Sequence, residues 1–224
     1  MEEPDKIAGM TMTMTTTATS DPDGYYLKLG RVPPPSVKFH LQGTGNVTID
    51  WGDGSHSETV KLIKVTGLAA DEFTHHYFSL PNTITITGEN VTGLRCDHNE
   101  LTALDVSKNS ALEVLYCCDN KLTELDVSKN TALTKLRCIG NQLTALDVTK
   151  NTALTHLDCT ENQLTADALN ALFETLHGNY DADWVNWIKN TIYIGKNPGV
   201  SICDKKIARR KKWKVEFRYK YDWS

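Results

Sequence analysis

A repeat of 21 residues, which spans residues 91–162, constrains the fold of this 224-residue chain more than any other feature. Each copy follows the line Leu-Thr-x-Leu-Asp-Val-Ser/Thr-Lys-Asn-x-Ala-Leu-x-x-Leu-x-Cys-x-x-Asn. Equal spacing is clearest in two sets of residues: Cys96, Cys117, Cys138 and Cys159, and Asn99, Asn120, Asn141 and Asn162. A fixed period of this length predicts a solenoid, because each repeat is one supersecondary unit that buries its apolar face only against its neighbours.

The composition excludes several classes of protein. A formal net charge of −4 on a mixed surface gives no general preference for nucleic acid or for a membrane. The chain has no apolar run of about 18 residues, so we expect no membrane insertion. Residues 1–6 lack the basic start and the apolar core of a signal peptide. The chain therefore either stays inside the cell or has lost its leader.

The cysteine column is interpreted as packing. Neighbouring strands are about 4.8 Å apart, and parallel Cβ vectors on adjacent repeats are poorly placed for a disulfide. Free cysteine commonly behaves as a small buried hydrophobe. No histidine joins the column, so we predict neither a metal site nor a cofactor. Cys118 follows Cys117 and is predicted to point outward as the exposed thiol.

The first third of the chain has a different pattern. Residues 1–35 are predicted to be a tail or linker, with an edge strand at residues 11–17 and a short strand at residues 25–29. From residue 36 apolar residues alternate with polar ones, as at Val37, Phe39 and Leu41, and glycine turns separate the alternating segments. This pattern predicts a small β-sandwich over residues 36–89.

Three segments of that sandwich carry a family resemblance. They are Asp50-Trp51-Gly52-Asp53-Gly54-Ser55, His75-His76-Tyr77 and Pro81-Asn82-Thr83-Ile84-Thr85-Ile86. Together they resemble the PKD-like fold, although Asn82 stands where that family has glycine and the match is shorter than a whole domain. The resemblance implies a reduced PKD-like unit. We interpret Asp53 as a turn-stabilising residue, and His75 and His76 as strand residues with local hydrogen bonds, with no metal or catalytic role.

The repeats themselves carry a second resemblance. Each contains Leu-x-Cys-x-x-Asn, as in residues 115–120, and this is similar to the leucine-rich repeat with cysteine in place of a leucine. The Leu-Asp-Val-Ser-Lys-Asn segment resembles short repeats of bacterial surface proteins. Independently of the resemblance, each recurring asparagine is predicted to satisfy backbone groups that a tight turn leaves unpaired. Asn109, Asn130 and Asn151 are predicted to do the same on the return side.

The solenoid is predicted to continue to the end of the chain, over residues 90–224. A helix is expected at residues 166–177, with Thr165 as its N-cap, followed by an insert at residues 179–190. Ile192 begins a fifth repeat, and Trp213 and Val215 are predicted to align with Ile192 and Ile194 in a sixth. A second helix is expected near residues 201–211. The fold class is thus mainly β with some α: about six parallel strands, an N-terminal sandwich and a helical C-terminal cap.

Candidate ligand-binding positions point outward from the solenoid sheet, on its expected concave face. They vary in charge and size, whereas the inward positions barely change, and tyrosine and arginine are enriched at binding hot spots. The alternative is an unconstrained surface that has drifted. The first predicted column is Arg95, Tyr116, Arg137, Asp158, Tyr193 and Lys214; the second is Asp97, Cys118, Ile139, Thr160, Gly195 and Glu216.

No motif for catalysis is present. The chain lacks Gly-x-Ser-x-Gly, His-Glu-x-x-His, a phosphate loop and a dinucleotide fingerprint. Active sites need unlike groups that converge, whereas the column of Asp105, Asp126 and Asp147 repeats regularly and is interpreted as a ladder of turn caps. We therefore predict that the chain is not an enzyme.

The resemblance to bacterial surface repeats implies a non-catalytic recognition or adhesion module that binds a protein or glycan, outside the cell or at its surface. Three alternatives remain open: a structural spacer, a cytoplasmic interaction scaffold and a hydrolase accessory. Nine basic residues within residues 205–220 are interpreted as a solvated cap, and not as a nucleic-acid site. The oligomeric state is not predicted.

Overall fold

The structure is a computed structural model, which describes residues 9–14, 36–63, 71–76, 82–88, 90–178 and 190–217. These residues form thirteen strands and two short helices, so the chain is mainly β, as predicted. The possible strand at residues 25–29, the insert at residues 179–189 and the end of the chain after residue 217 lie outside the described residues.

The strands follow one another along the chain. They are β1 (Gly9–Met14), β2 (Ser36–Gly43), β3 (Gly45–Asp50), β4 (Glu58–Leu62), β5 (Asp71–His76), β6 (Asn82–Gly88), β7 (Val91–Arg95), β8 (Leu101–Asp105), β9 (Val114–Tyr116), β10 (Lys135–Arg137), β11 (His156–Asp158), β12 (Asn190–Tyr193) and β13 (Trp213–Glu216). The helices are α1 (Ala166–Thr175), between β11 and β12, and α2 (Lys206–Arg210), between β12 and β13.

Eight strands form the larger sheet, in the order β13-β12-β11-β10-β9-β7-β2-β5. The six strands from β13 to β7 run parallel, and β2 and β5 continue the sheet in antiparallel pairing. The inward residues that pair across the parallel part are Leu94, Leu115, Leu136, Leu157, Ile192 and Val215, all buried. Their hydrophobic side chains hold the register, because a slip of one residue would turn each of them to solvent.

The predicted register of the sixth strand is wrong by two residues. Val215 pairs with Ile192, and Trp213 pairs with Asn190 instead of Ile192. Trp213 is used differently: its indole N–H donates to the carbonyl oxygen of His177 at 2.9 Å, and the two rings meet edge to face. With this shift of two residues, the side chain of Trp213 is buried at the end of the core next to β13.

Five strands form the second sheet, in the order β4-β3-β6-β1-β8. The structure has a strand that overlaps the one predicted at residues 11–17, but the predicted edge position is wrong, because β1 (Gly9–Met14) pairs on both sides, antiparallel to β6 and to β8. Met10 of β1 is only 1% exposed. The sequence pattern of this segment predicts little regular structure, yet β1 is an interior strand of the sheet.

The two sheets share one hydrophobic core, which runs without a break from Met10 and Phe39 to Trp213 and Val215. Contacts cross the predicted domain boundary at residue 89 in both sheets. In the larger sheet His40 of β2 pairs with Arg95 of β7, and in the smaller sheet β1 pairs with β8. The N-terminal strands and the repeats are thus joined by continuous hydrogen bonding.

The helices pack beside the later repeats. Thr165 caps α1 as predicted, since its hydroxyl accepts from the backbone N–H of Ala168 at 3.2 Å. Leu169, Leu172 and Phe173 form the buried face of α1. The second helix is shorter than predicted, with only Lys206–Arg210 helical. Within the described residues neither helix has the length and apolar character needed to cross a membrane.

Candidate functional site

Buried asparagines fix the outward face of the larger sheet. Asn120 accepts from the backbone N–H groups of Asn99 and Leu101 at 3.1 and 2.9 Å. Its amide nitrogen donates to the carbonyl oxygens of Cys96 and Cys117 at 2.9 and 3.1 Å. Related bonds recur at Asn141, Asn162 and Asn197, which confirms the predicted role of the column. Each asparagine ties its own turn to the preceding repeat.

The first asparagine of the column makes a different connection. Asn99 has no earlier repeat to bind, and it pairs with Lys38 of β2 instead: it accepts from the backbone N–H at 2.8 Å and donates to the carbonyl at 2.7 Å. The column therefore also positions the N-terminal strands. On the return side Asn130 and Asn151 donate to backbone carbonyls of the preceding repeat at 2.8 to 2.9 Å, as predicted.

A column of left-handed residues borders the outward face. His98, Asp119, Gly140, Glu161 and Lys196 occupy the same place in successive turns, with φ from 52° to 63°. A Cβ at Gly140 would lie 2.3 Å from Oδ1 of Asp119, so the flexible side chain of Asp119 would have to move to accommodate a larger residue. Two contacts connect neighbours in the column: Nε2 of His98 lies 3.5 Å from Oδ2 of Asp119, and Lys196 forms an ion pair with Glu161 at 2.5 Å. Burial raises the pKa of Asp119, and His98 opposes that effect.

Strand pairing brings most of the first predicted column together. Arg95, Tyr116, Arg137, Asp158 and Tyr193 lie opposite one another on successive strands. The sixth member is Glu216 and not Lys214, because of the shifted register of β13. Lys214 lies opposite Thr191, in a neighbouring column whose members precede those of the first column by two residues on each strand. There it joins Lys135 and His156, so that side of the face is basic.

The face extends beyond the predicted columns onto the N-terminal strands. His40 pairs with Arg95, and Glu72 of β5 pairs with His40, so the first column spans all eight strands. The carboxylate of Glu72 lies 2.8 Å from Nζ of Lys38 and 3.1 Å from Nε2 of His40, and these contacts lower the pKa of the carboxyl, that with Lys38 most strongly. Sequence reasoning missed these residues because they lie outside the repeat. The alternation of β2 is the signal that would have found them.

Three contacts organise the residues at the centre of the face. Arg95 Nε donates to Asp97 Oδ2 at 2.7 Å, and Asp97 Oδ1 accepts from the backbone N–H of Cys118 at 2.7 Å. The guanidinium of Arg137 lies over the ring of Tyr116, 5.0 Å from its centroid. Tyr116, Arg137 and Ile139 are half-buried, and Tyr193 is also only partly exposed. A rigid aromatic ring beside an arginine, partly solvated, is a typical composition of a protein-binding centre.

Three predicted positions, Asp158, Thr160 and Gly195, are buried and are not free surface. Asp158 is 3% exposed and Thr160 is 4% exposed, although both point away from the core. Oδ1 of Asp158 accepts from the backbone N–H of Thr160 at 3.2 Å. The available part of the face is therefore centred on Arg95, Tyr116 and Arg137, and not spread evenly over six repeats.

All six cysteines are free thiols. Cys96, Cys117, Cys138 and Cys159 are buried, and each S–H donates to a carbonyl of the next repeat at 3.4 to 3.6 Å. Burial raises the pKa of all four well above the ordinary value for a thiol. The expectation that Cys118 is exposed needs correction. It is half-buried, donates to the carbonyl of Arg137 at 3.7 Å and has a raised pKa, first because of burial.

We expect the native protein to resist thiol labelling. Thiolate is the reactive form, and burial suppresses both its formation and access to it. N-ethylmaleimide followed by mass spectrometry should label Cys118 slowly and leave the four column cysteines unmodified, whereas protein unfolded in urea should take up six labels. A Cys118→Ala variant should lose the slow native reaction. Rapid labelling of two or more cysteines in native protein would contradict this arrangement.

A second polar cluster lies at the turn after β3. Asp53 accepts from the backbone N–H of Ser55 at 2.9 Å and contacts His75 Nε2 at 2.7 Å. The hydrogen bonds from Ser55, and then that from His75, lower the pKa of Asp53. The ring of His75 stacks on Trp51 with centroids 4.6 Å apart. The predicted turn-stabilising role of Asp53 and the local hydrogen bond of His75 are thus confirmed.

The aspartates of the return side also have the predicted capping role. Asp105, Asp126 and Asp147 each accept from the backbone N–H two residues later, at 2.7 to 2.8 Å. Those hydrogen bonds, from Ser107, Ser128 and Thr149, lower the pKa of each carboxyl. The side chains are exposed and make equivalent contacts, so the column stabilises successive turns.

We expect these aspartates to make stability depend on pH in the acid range. Their folded pKa values lie below the unfolded value of about 3.9, so their contribution is complete above about pH 5 and is lost as the pH falls through the folded values. A triple Asp105→Asn, Asp126→Asn, Asp147→Asn variant keeps the turn acceptors and should show a flatter fall in urea midpoint between about pH 5 and pH 3. The exposed Glu124→Gln variant is the control and should retain the wild-type slope. An unchanged slope in the triple variant would contradict the assignment.

Nothing in the described residues groups three or more histidine, cysteine, aspartate or glutamate side chains as a metal would require. A search against known protein families gives no match, and no curated protein matches the sequence. Function must therefore be inferred from the arrangement of this chain's own residues.

Proposed function

We propose that the chain is a leucine-rich repeat solenoid of six repeats with a reduced PKD-like sandwich at its start, and that it is a non-catalytic recognition or adhesion module. The parallel register of the six strands and the asparagine column support the proposed solenoid. The sequence pattern of the N-terminal residues, with the Asp53–His75 contact, supports the proposed PKD-like sandwich. The resemblance to bacterial surface repeats favours a location at the cell surface, with the cytoplasm as the alternative.

One observation carries the proposed activity: a continuous sheet, eight strands wide, has buried apolar residues on one face and residues of unlike charge and size on the other. Its centre combines Tyr116 with Arg137 and flanks them with the Arg95–Asp97 pair. The rigid sheet pre-organises these side chains, so little ordering entropy is lost on binding. Polar and aromatic groups in this arrangement suit a protein or a glycan ligand.

The test is a screen of protein and glycan arrays with paired variants. A Tyr116→Ala, Arg137→Ala variant should lose about thirtyfold or more in affinity for each true ligand, since central aromatic and arginine anchors contribute most of the binding energy. A Lys108→Ala, Lys129→Ala variant changes exposed residues of the return side and should bind within about twofold of wild type. Hits that are insensitive to the face variant would contradict the proposal, and a screen without hits would favour a spacer.

Localisation has its own test. Fractionation of the source cells into medium, envelope and cytoplasm, followed by immunoblotting, should find the protein in the medium or envelope. Recovery in the cytoplasm alone would favour the interaction scaffold.

A further inference from the structure

We propose that the C-terminal cap docks on membrane surfaces that contain anionic phospholipid, through Lys206, Arg209, Arg210 and Lys212, together with the exposed Ile202, which precedes them in the sequence. The site is separate from the outward face of the sheet and does not depend on the proposed function. Residues 204–216 contain seven basic and two acidic residues, whereas the whole chain has a formal net charge of −4. Positive charge is thus concentrated at one end of an acidic protein.

The helix α2 presents its cations together. Lys206, Arg209 and Arg210 are three and four residues apart, so they share one face of the helix. Like charges at this spacing repel one another, whereas Asp204 accepts from the backbone N–H of Lys206 at 3.0 Å and the two arginines of the last turn complement the helix dipole. All three side chains are exposed, as is Lys212, which lies in the turn after the helix with φ of 65°. The four cations are therefore exposed within seven residues of one another, an arrangement that suits an anionic surface.

The other cations of the cap already have partners. Lys205 donates to the carbonyl of Val200 at 2.9 Å and lies over the ring of Phe217. Lys211 contacts Glu174, and Lys214 contacts Glu216. In the part of the chain that the structure describes, no carboxylate lies within ion-pair distance of the four docking cations. Their charge therefore remains available to a ligand.

Exposed apolar side chains near the basic residues favour a lipid surface over a soluble polyanion as the ligand of the cap. Ile202 is 77% exposed and Phe217 is 38% exposed, and they are two of the three large exposed hydrophobic residues in the described ranges. Both belong to the segments that flank α2. An apolar side chain beside a basic cluster gains free energy in the headgroup region of a membrane, whereas it gains little from a polynucleotide in solution. The combination favours phospholipid.

Vesicle co-sedimentation tests the proposal with the full chain. Vesicles of phosphatidylcholine with phosphatidylglycerol should retain the protein, and pure phosphatidylcholine should not. Raising the salt to about 1 M should release it, because the Debye length falls to about 3 Å. A Lys206→Glu, Arg209→Glu, Arg210→Glu variant should bind at least about tenfold more weakly. The matched control reverses Lys108, Lys129 and Lys150 on the return side and should stay within about threefold of wild type.

A second variant separates lipid from other anions. Ile202→Ser should weaken vesicle binding by about threefold or more, and should leave any binding to a single-stranded polynucleotide unchanged. Circular dichroism establishes that each variant is folded, and a neutral Lys206→Gln, Arg209→Gln, Arg210→Gln variant should give an intermediate loss. The proposal is overturned if the anionic vesicles fail to bind, if the control triple reversal weakens binding equally, or if polynucleotide binds more tightly than vesicles with no effect of Ile202→Ser.

Discussion

An Asn120→Ala variant is expected to lower the free energy of unfolding by about 4 kcal/mol, because a buried polar group that loses its partner costs about 1–3 kcal/mol and several lose theirs together. The side chain of Asn120 accepts from two backbone N–H groups and donates to the carbonyls of Cys96, Cys117 and Cys118. Alanine would leave the N–H groups of Asn99 and Leu101 buried without an acceptor. The loss affects two repeats at once, since the bonds join one turn to the preceding one.

Urea unfolding, monitored by circular dichroism, measures this change. Asn46→Ala is the matched control, because Asn46 is an exposed asparagine of β3, and it should cost less than about 0.5 kcal/mol. Asn120→Asp keeps an acceptor but loses the donors, so it should also be strongly destabilised at neutral pH. A cost for Asn120→Ala no larger than that of Asn46→Ala would show that the asparagine column contributes little to stability.

A Met10→Asp variant is expected to lose about 4 kcal/mol or more of stability, or to fail to fold. Met10 is buried, and an uncompensated charge in such a position is among the largest destabilising changes known. The effect is strong because β1 is hydrogen-bonded to β6 and β8 on its two sides. Met10→Leu keeps the volume and should cost less than about 1.5 kcal/mol.

The two Met10 variants are compared by thermal unfolding and by soluble yield. If β1 were a dispensable tail, aspartate and leucine at position 10 would give the same midpoint. A difference of several degrees or more between them identifies β1 as part of the cooperative core, since about 1 kcal/mol shifts the midpoint of a chain of this size by about 2–4 °C.

The inward residues of the repeats were predictable, and the place of β1 was not. Leu115, Cys117 and Asn120 recur at fixed spacing, so period alone assigns them to the core and the turn. No fixed spacing in the sequence identifies β6 and β8 as the partners of β1. Residues 101–105 and 143–147 have the same sequence, Leu-Thr-Ala-Leu-Asp, yet only the first is a strand, because only it pairs with β1. Tertiary contact decides between two structures for one local sequence.

The candidate binding face was likewise predictable from the sequence only in part. Pairing of Arg95, Tyr116 and Arg137 followed from the period. The shift of β13 did not, because the sequence does not reveal that Trp213 donates to His177 and takes a place outside the repeat. Burial of Asp158 and Thr160 also could not be predicted, since outward-pointing residues are expected to be exposed. Where a repeat is interrupted, the register and the burial of its residues can be determined only from the structure.

The interior position of β1 has a consequence for synthesis of the chain. The repeats join by contacts between segments that leave the ribosome shortly after one another, so each can add to the previous one as it appears. In contrast, β1 is made long before residues 82–105, which contain both of its partners. Contacts between distant segments form slowly, and an unpaired strand that waits for them is prone to aggregate. The earliest of the thirteen described strands to be translated therefore lacks one or both of its partners until residue 105 has been made.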